Sequence, residues 1–159
     1  MSRISLIMIF LMVSANSIAQ TNAALFHKEV TTQLDEIDRA VSEFNAAIVL
    51  YDGDTILAAY KNLLTVTEKV ISETENLSVP EGGADYQKTV LELFRFYLRT
   101  FESDYYEAVS IMYRIPVTDA DIEEMERIFD RVELKETIFL NAFYNAQIEF
   151  CESNNIGLE

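Results

Sequence analysis

Glu136 stands where its neighbours ask for an apolar side chain. Met125, Phe129, Val132, Phe139, Phe143, Ala146 and Phe150 mark a stripe that recurs every three or four residues, and Glu136 fills one of its places. An ionised carboxyl in an apolar seam is disfavoured unless a partner compensates it, and carboxyls so placed often mark binding or proton-transfer sites. A helix of real pitch drifts from a strict seven-residue repeat, so we expect Glu136 to turn to the rim beside Arg131 or Lys135. The alternative is a polar gap in the core, open to a small ligand or a divalent cation.

Arg95 and Arg99 lie one helical turn apart, with Glu92 and Glu102 three residues outside them. Intrahelical ion pairs worth ~0.2–0.5 kcal/mol each are the expected use; a clamp for a small anion is the alternative. Tyr106 and Tyr144 adjoin stripe residues, and they are the tyrosines expected to reach the surface, where a sugar ring or a partner helix would meet them. Asp52-Gly53-Asp54 resembles the opening of a calcium loop but lacks the later ligands and the bidentate Glu at the twelfth position. We read it as a turn, with Gly53 left-handed beyond one helix and Asp54 capping the next. Asp119, Asp121, Glu123, Glu124 and Glu126 crowd a helix start, where acids complement the positive end of the helix dipole.

The chain has one histidine and one cysteine. A di-iron site needs Glu-x-x-His pairs and covalent haem needs Cys-x-x-Cys-His, and neither can be assembled here. His27 reads as a solvated residue on the first turns of its helix. Cys151 reads as a partly buried free thiol, with an intermolecular disulfide as the alternative. No Ser-His or Cys-His arrangement has a spatial argument behind it. We therefore expect no catalysis, no metal and no cofactor.

These residues need elements to hold them, and the periodicity supplies four. Val30, Leu34, Ile37, Val41, Phe44, Ile48 and Tyr51 step by four and three along a first helix from Asn22 to Tyr51. A second runs from about Thr55 to Asn76 on Ile56, Tyr60, Leu63, Val66 and Val70. The segment Leu77 to Ala84 holds Pro80, Gly82 and Gly83, and a third helix follows from about Asp85 to Tyr113 on Leu91, Phe94, Leu98, Phe101, Tyr105, Ala108 and Met112. Pro116 ends it, and Thr118-Asp119-Ala120-Asp121 opens the fourth like a capping box. With only four Gly and two Pro in 159 residues, the chain is short of the turn residues that a many-stranded sheet requires. Four one-sided helices with short links predict an all-α, antiparallel up-down-up-down four-helix bundle.

Ahead of that bundle stand Arg3, a mainly apolar run from Ile4 to Val13, and a small polar segment ending Ser17-Ile18-Ala19-Gln20. This is the layout of a cleavable secretory signal peptide over residues 1–19, with the cut between Ala19 and Gln20. The apolar run is too short to span a bilayer. Cleavage would leave residues 20–159 as a single domain and, by removing Arg3, take the formal charge from -15 to -16. Such a surface repels nucleic acid and anionic lipid.

Several segments resemble a family of small exported bacterial helical proteins labelled surface proteins or domains of unknown function. They are Asp85-Tyr86-Gln87-Lys88 through Leu93-Phe94-Arg95-Phe96-Tyr97, Glu102-Ser103-Asp104-Tyr105-Tyr106-Glu107, Val117-Thr118-Asp119-Ala120-Asp121-Ile122, and Ala146-Gln147-Ile148-Glu149-Phe150 through Asn155-Ile156-Gly157-Leu158. The likeness covers about Gly83 to Leu158 and implies export but no site residues. No cysteine closes the apolar run, so a lipid anchor is not expected. The reading is an exported, non-enzymatic bundle, periplasmic, secreted or surface-associated, that binds a protein or small-molecule partner in the envelope without binding nucleic acid or spanning the membrane. The alternative is a small-ligand or divalent-cation-binding bundle.

Overall fold

The computed structural model describes residues 3–50, 52–114 and 116–157, with side chains from Gln20 onward. Helix α1 is Arg3–Leu50, α2 is Gly53–Glu75, α3 is Ala84–Thr100, α4 is Tyr106–Met112 and α5 is Asp119–Ser153. A π-helical turn, Phe101–Tyr105, joins α3 to α4, so these form one rod and the described residues make four rods with no strand. No helix among them is long and apolar enough to cross a membrane.

The ends of the helices follow from particular side chains. Asp52 accepts from the Thr55 N–H at 3.3 Å and from the Thr55 hydroxyl, capping α2. The expected cap, Asp54, lies instead in the first turn, and Gly53 is helical rather than left-handed. Gly53 has a different use: a Cβ there would stand 3.0 Å from the Tyr113 ring, whose hydroxyl donates to the Gly53 carbonyl. The left-handed glycine is Gly82, at φ 77°, in a turn closed by Gly83 N–H to Pro80 C=O at 2.9 Å. Thr118 and Asp121 form the reciprocal capping box at the start of α5. At its other end Asn155 is left-handed at φ 55°, and Ile156 N–H reaches Cys151 C=O at 2.9 Å, the hydrogen bonding of a Schellman motif.

One core unites the four rods. In α1 the buried residues are Ala23, Phe26, Val30, Gln33, Ile37, Ala40, Phe44 and Ala47. The predicted stripe shares Val30, Ile37 and Phe44 with it, whereas Leu34, Val41 and Ile48 are half-buried at its flank. Tyr51 lies outside the described residues. In α2, Thr67 and Thr74 take core positions, their hydroxyls 2.8 Å from the carbonyls of Leu63 and Val70. Thr74 also lies 2.7 Å from Gln33 Oε1, and Gln87 Nε2 donates to the Thr74 carbonyl at 2.7 Å. A buried polar network thus ties α1, α2 and α3 at one level.

Cross-helix contacts record how the rods meet. Glu36 pairs with Lys69 at 2.8 Å, and Glu43 accepts from Asn62 at 3.2 Å. Phe26 meets Phe150, while Tyr86 stacks on Phe150 and Phe96 on Phe139.

Candidate functional site

Midway along the seam the core opens into a cavity of about 140 Å³, lined by residues of α1, α3, the π turn and α5. Its walls are Ile37, Val41, Phe101 and Val132; its polar groups are Asp38, Tyr97, Thr100, Tyr105 and Glu136. Glu136 faces this gap and accepts a hydrogen bond from the Tyr97 hydroxyl at 2.9 Å. It does not turn to the rim beside Arg131 or Lys135 as expected. Arg131 is engaged elsewhere, its Nε and Nη2 both donating to Asp104 Oδ1, at 3.1 and 2.6 Å.

The π turn lies beside this gap and supplies Phe101 and Tyr105 to its lining. Buried residues on the third rod include Val90, Tyr97, Asp104 and Ile111, each seven apart, and beside them Phe94, Phe101 and Ala108 at the same spacing. The seven-residue spacing therefore runs unbroken through the wider turn at Phe101–Tyr105. Ala108 faces the core, as its place on the predicted stripe expects, and Asp104 turns inward towards Arg131. The turn also presents the Phe101 carbonyl to Tyr60, whose hydroxyl donates to it at 3.0 Å.

Electrostatics in the gap are strained in one direction. Partial withdrawal from water raises the Asp38 carboxyl above the usual carboxylate range, and the charges of Asp35 and Glu136 add to it. Burial raises the Tyr97 hydroxyl strongly, with Glu136 reinforcing the shift, and acts likewise on Tyr105. Both phenols therefore remain protonated donors. Tyr97, Phe101 and Tyr105 form a ladder of rings, with centroids 5.9 Å and 5.0 Å apart. Two carboxyls thus confront an aromatic wall.

The other sequence candidates are placed apart from the gap. Arg95 pairs with Glu75 of α2 at 2.6 Å, so the intrahelical pairing expected with Glu92 is replaced by a contact between helices. Arg99 makes no ion pair among the described residues, and the two arginines form no common clamp. Tyr106 and Tyr144 are exposed, at 60% and 48%. Ala19 and Gln20 lie within the α1 backbone; the Ala19 side chain is outside the described set, and Gln20 Nε2 donates to the Asn155 carbonyl at 3.2 Å. Asp121 serves its own helix and accepts from Arg114 at 2.6 Å, and no group of three or more His, Cys, Asp or Glu side chains among the described residues is set to hold a metal ion.

His27 and Cys151 both turn out to be core neighbours of Tyr86. His27 Nδ1 lies 3.2 Å from the Tyr86 hydroxyl, and burial lowers the imidazole pKa, so the solvated reading of His27 does not hold. Cys151 is 0% exposed and its thiol pKa is raised by burial. A buried, protonated thiol is the opposite of an activated nucleophile. Asp38 and Asp104 were missed by sequence reasoning. Asp38 adjoins core residue Ile37, and Asp104 lies seven residues past core residue Tyr97, a spacing that could have signalled it.

Comparison with protein-family models, curated proteins and solved structures gives no match to this chain.

Proposed function

We propose that this chain is an exported, non-enzymatic binding protein whose mid-seam gap takes a small organic ammonium ion. The observation that carries the reading is the facing of Asp38 and Glu136 into one cavity walled by the Tyr97-Phe101-Tyr105 ladder. Carboxylates supply the counter-charge, and the stacked rings of Tyr97, Phe101 and Tyr105 supply an apolar wall for the carbon part of the ion. A volume of about 140 Å³ equals roughly five waters, so the ligand is compact. A bare divalent cation fits less well, because hard cations take six or more oxygen ligands.

The architecture in this reading is an antiparallel up-down-up-down bundle, supported by the opposed order of the contacts Glu36–Lys69 and Glu43–Asn62, and of Tyr86–Phe150 and Phe96–Phe139. Residues 1–19 act as the export signal, removed between Ala19 and Gln20, and the product is periplasmic, secreted or surface-associated. Membership of the exported family that residues 83–158 resemble rests on those residues alone.

The test is thermal melting with methylammonium, choline, calcium and magnesium. An ammonium ion raises the melting temperature, and Glu136→Gln or Asp38→Asn removes the effect; no response to either ammonium overturns the reading. A second reading, docking of a protein partner, is favoured by the face of α5 bearing Leu134 and Ile138, 73% and 67% exposed. Envelope crosslinking lost in Leu134→Glu would support it.

A further inference from the structure

A second, larger cavity lies at the end of the rods where α1 meets α2 and where the chain passes from α4 to α5. It measures about 460 Å³, within the ~300–1,000 Å³ range of small-molecule sites. Its lining is apolar except at one place. Ile48, Ile56, Met112, Val117 and Met125 make the walls, and Arg114 is the charged residue among them. Two of the five are methionines, whose flexible thioethers adapt to irregular apolar shapes. One flank is fixed: Tyr113 lies against Gly53 and bonds its carbonyl, an approach that a Cβ at position 53 would obstruct.

Arg114 is held without being used up. Its Nη1 donates to Asp121 Oδ1 at 2.6 Å, which occupies one of the five N–H groups of a guanidinium. Asp121 in turn has its other oxygen engaged by the Thr118 N–H at 3.0 Å and hydroxyl at 2.6 Å. The contact sets the guanidinium beside the first turn of α5, whose dipole adds positive potential. The result is an apolar pocket with an oriented cationic fork at its edge, on a chain of formal charge -15.

We propose that this end cavity binds a free single-chain amphiphile with an anionic head, its tail among Ile48, Ile56, Met112, Val117 and Met125 and its head on Arg114. The occupant is a dispersed molecule rather than a membrane, because the acidic surface opposes anionic bilayers. This site is separate from the ammonium gap and stands or falls without it.

The probes are decanoate, decanol and decylammonium below their aggregation concentrations, followed by calorimetry. Decanoate binds about tenfold more tightly than decanol, the factor of a charge-assisted hydrogen bond. Arg114→Gln removes that preference, Arg114→Lys restores part of it, and Met125→Trp fills the cavity and abolishes binding of both. Melting curves of each variant establish that it is folded. Equal affinity for decanoate and decanol, preference for decylammonium, or unchanged binding in Met125→Trp overturns the proposal. Arg114-dependent association with phosphatidylglycerol vesicles in place of free decanoate would assign the site to a membrane and overturn it too.

Discussion

Tyr97 gives Glu136 a hydroxyl donor at 2.9 Å inside the seam. Tyr97→Phe leaves the carboxyl without it and is expected to cost about 1.5–3 kcal/mol in urea denaturation, the range for a hydrogen bond to a charged group. An unchanged midpoint would mean that water replaces the phenol. Acid stability has its own residue. Hydrogen bonds from Thr118, joined by Arg114, hold the Asp121 carboxyl down at about 2 against an ordinary value of 3.8. Because the folded value is depressed, this stabilisation is present above pH ~4 and is lost as pH falls towards 2. Asp121→Asn therefore flattens that part of the stability profile. Asp38 has the opposite sign: its raised carboxyl favours the folded state in acid, and the benefit fades as pH rises through the raised value. Asp38→Asn should stabilise the protein at pH 7. Glu136 was visible in the sequence because it broke a stripe, but its direction was not, since that depends on Arg131 being taken by Asp104.

At the scale of elements, the π turn supplies Phe101 and Tyr105 to the wall of the gap. Such turns cost stability and persist where a site uses the altered geometry. Deleting Ser103, which is exposed within it, removes one residue between Tyr97 and Asp104 and breaks the seven-residue spacing that runs from Val90 to Ile111. The variant is expected to melt lower than the parent and to lose the ammonium-induced shift and the Tyr60 contact with the Phe101 carbonyl; retained binding would show that the gap does not need the turn. The helices themselves were legible from spacing because three- and four-residue steps survive in every rod. The centre of the α1 stripe was not. Reading favoured the bulky Leu34, Val41 and Ile48, whereas close approach of neighbouring helices gave the middle to Gln33, Ala40 and Ala47. Nothing in local spacing marks the π turn at Phe101–Tyr105, because the seven-residue spacing runs through it unbroken.

For the whole molecule, charge is the largest unbalanced quantity. With 27 acids against 12 bases, repulsion between acidic surfaces opposes compaction. Raising sodium chloride from ~10 to ~150 mM shortens the Debye length from about 30 to 8 Å, and the melting temperature should rise with it. A fall would show that ion pairs such as Arg95–Glu75 outweigh the repulsion. The export reading makes an equally direct forecast, a mature N-terminus at Gln20, read by mass spectrometry.

Cys151, wholly enclosed beside Tyr86, gives the protein a clock for its own opening. An alkylating reagent meets this thiol only when the C-terminal part of α5 lifts away, so labelling follows excursions rather than the resting state. Native protein should react orders of magnitude more slowly than protein in urea. The same trace, repeated with each ligand bound, would reveal whether occupancy at the seam or at the far end of the rods stills the helix that carries the thiol.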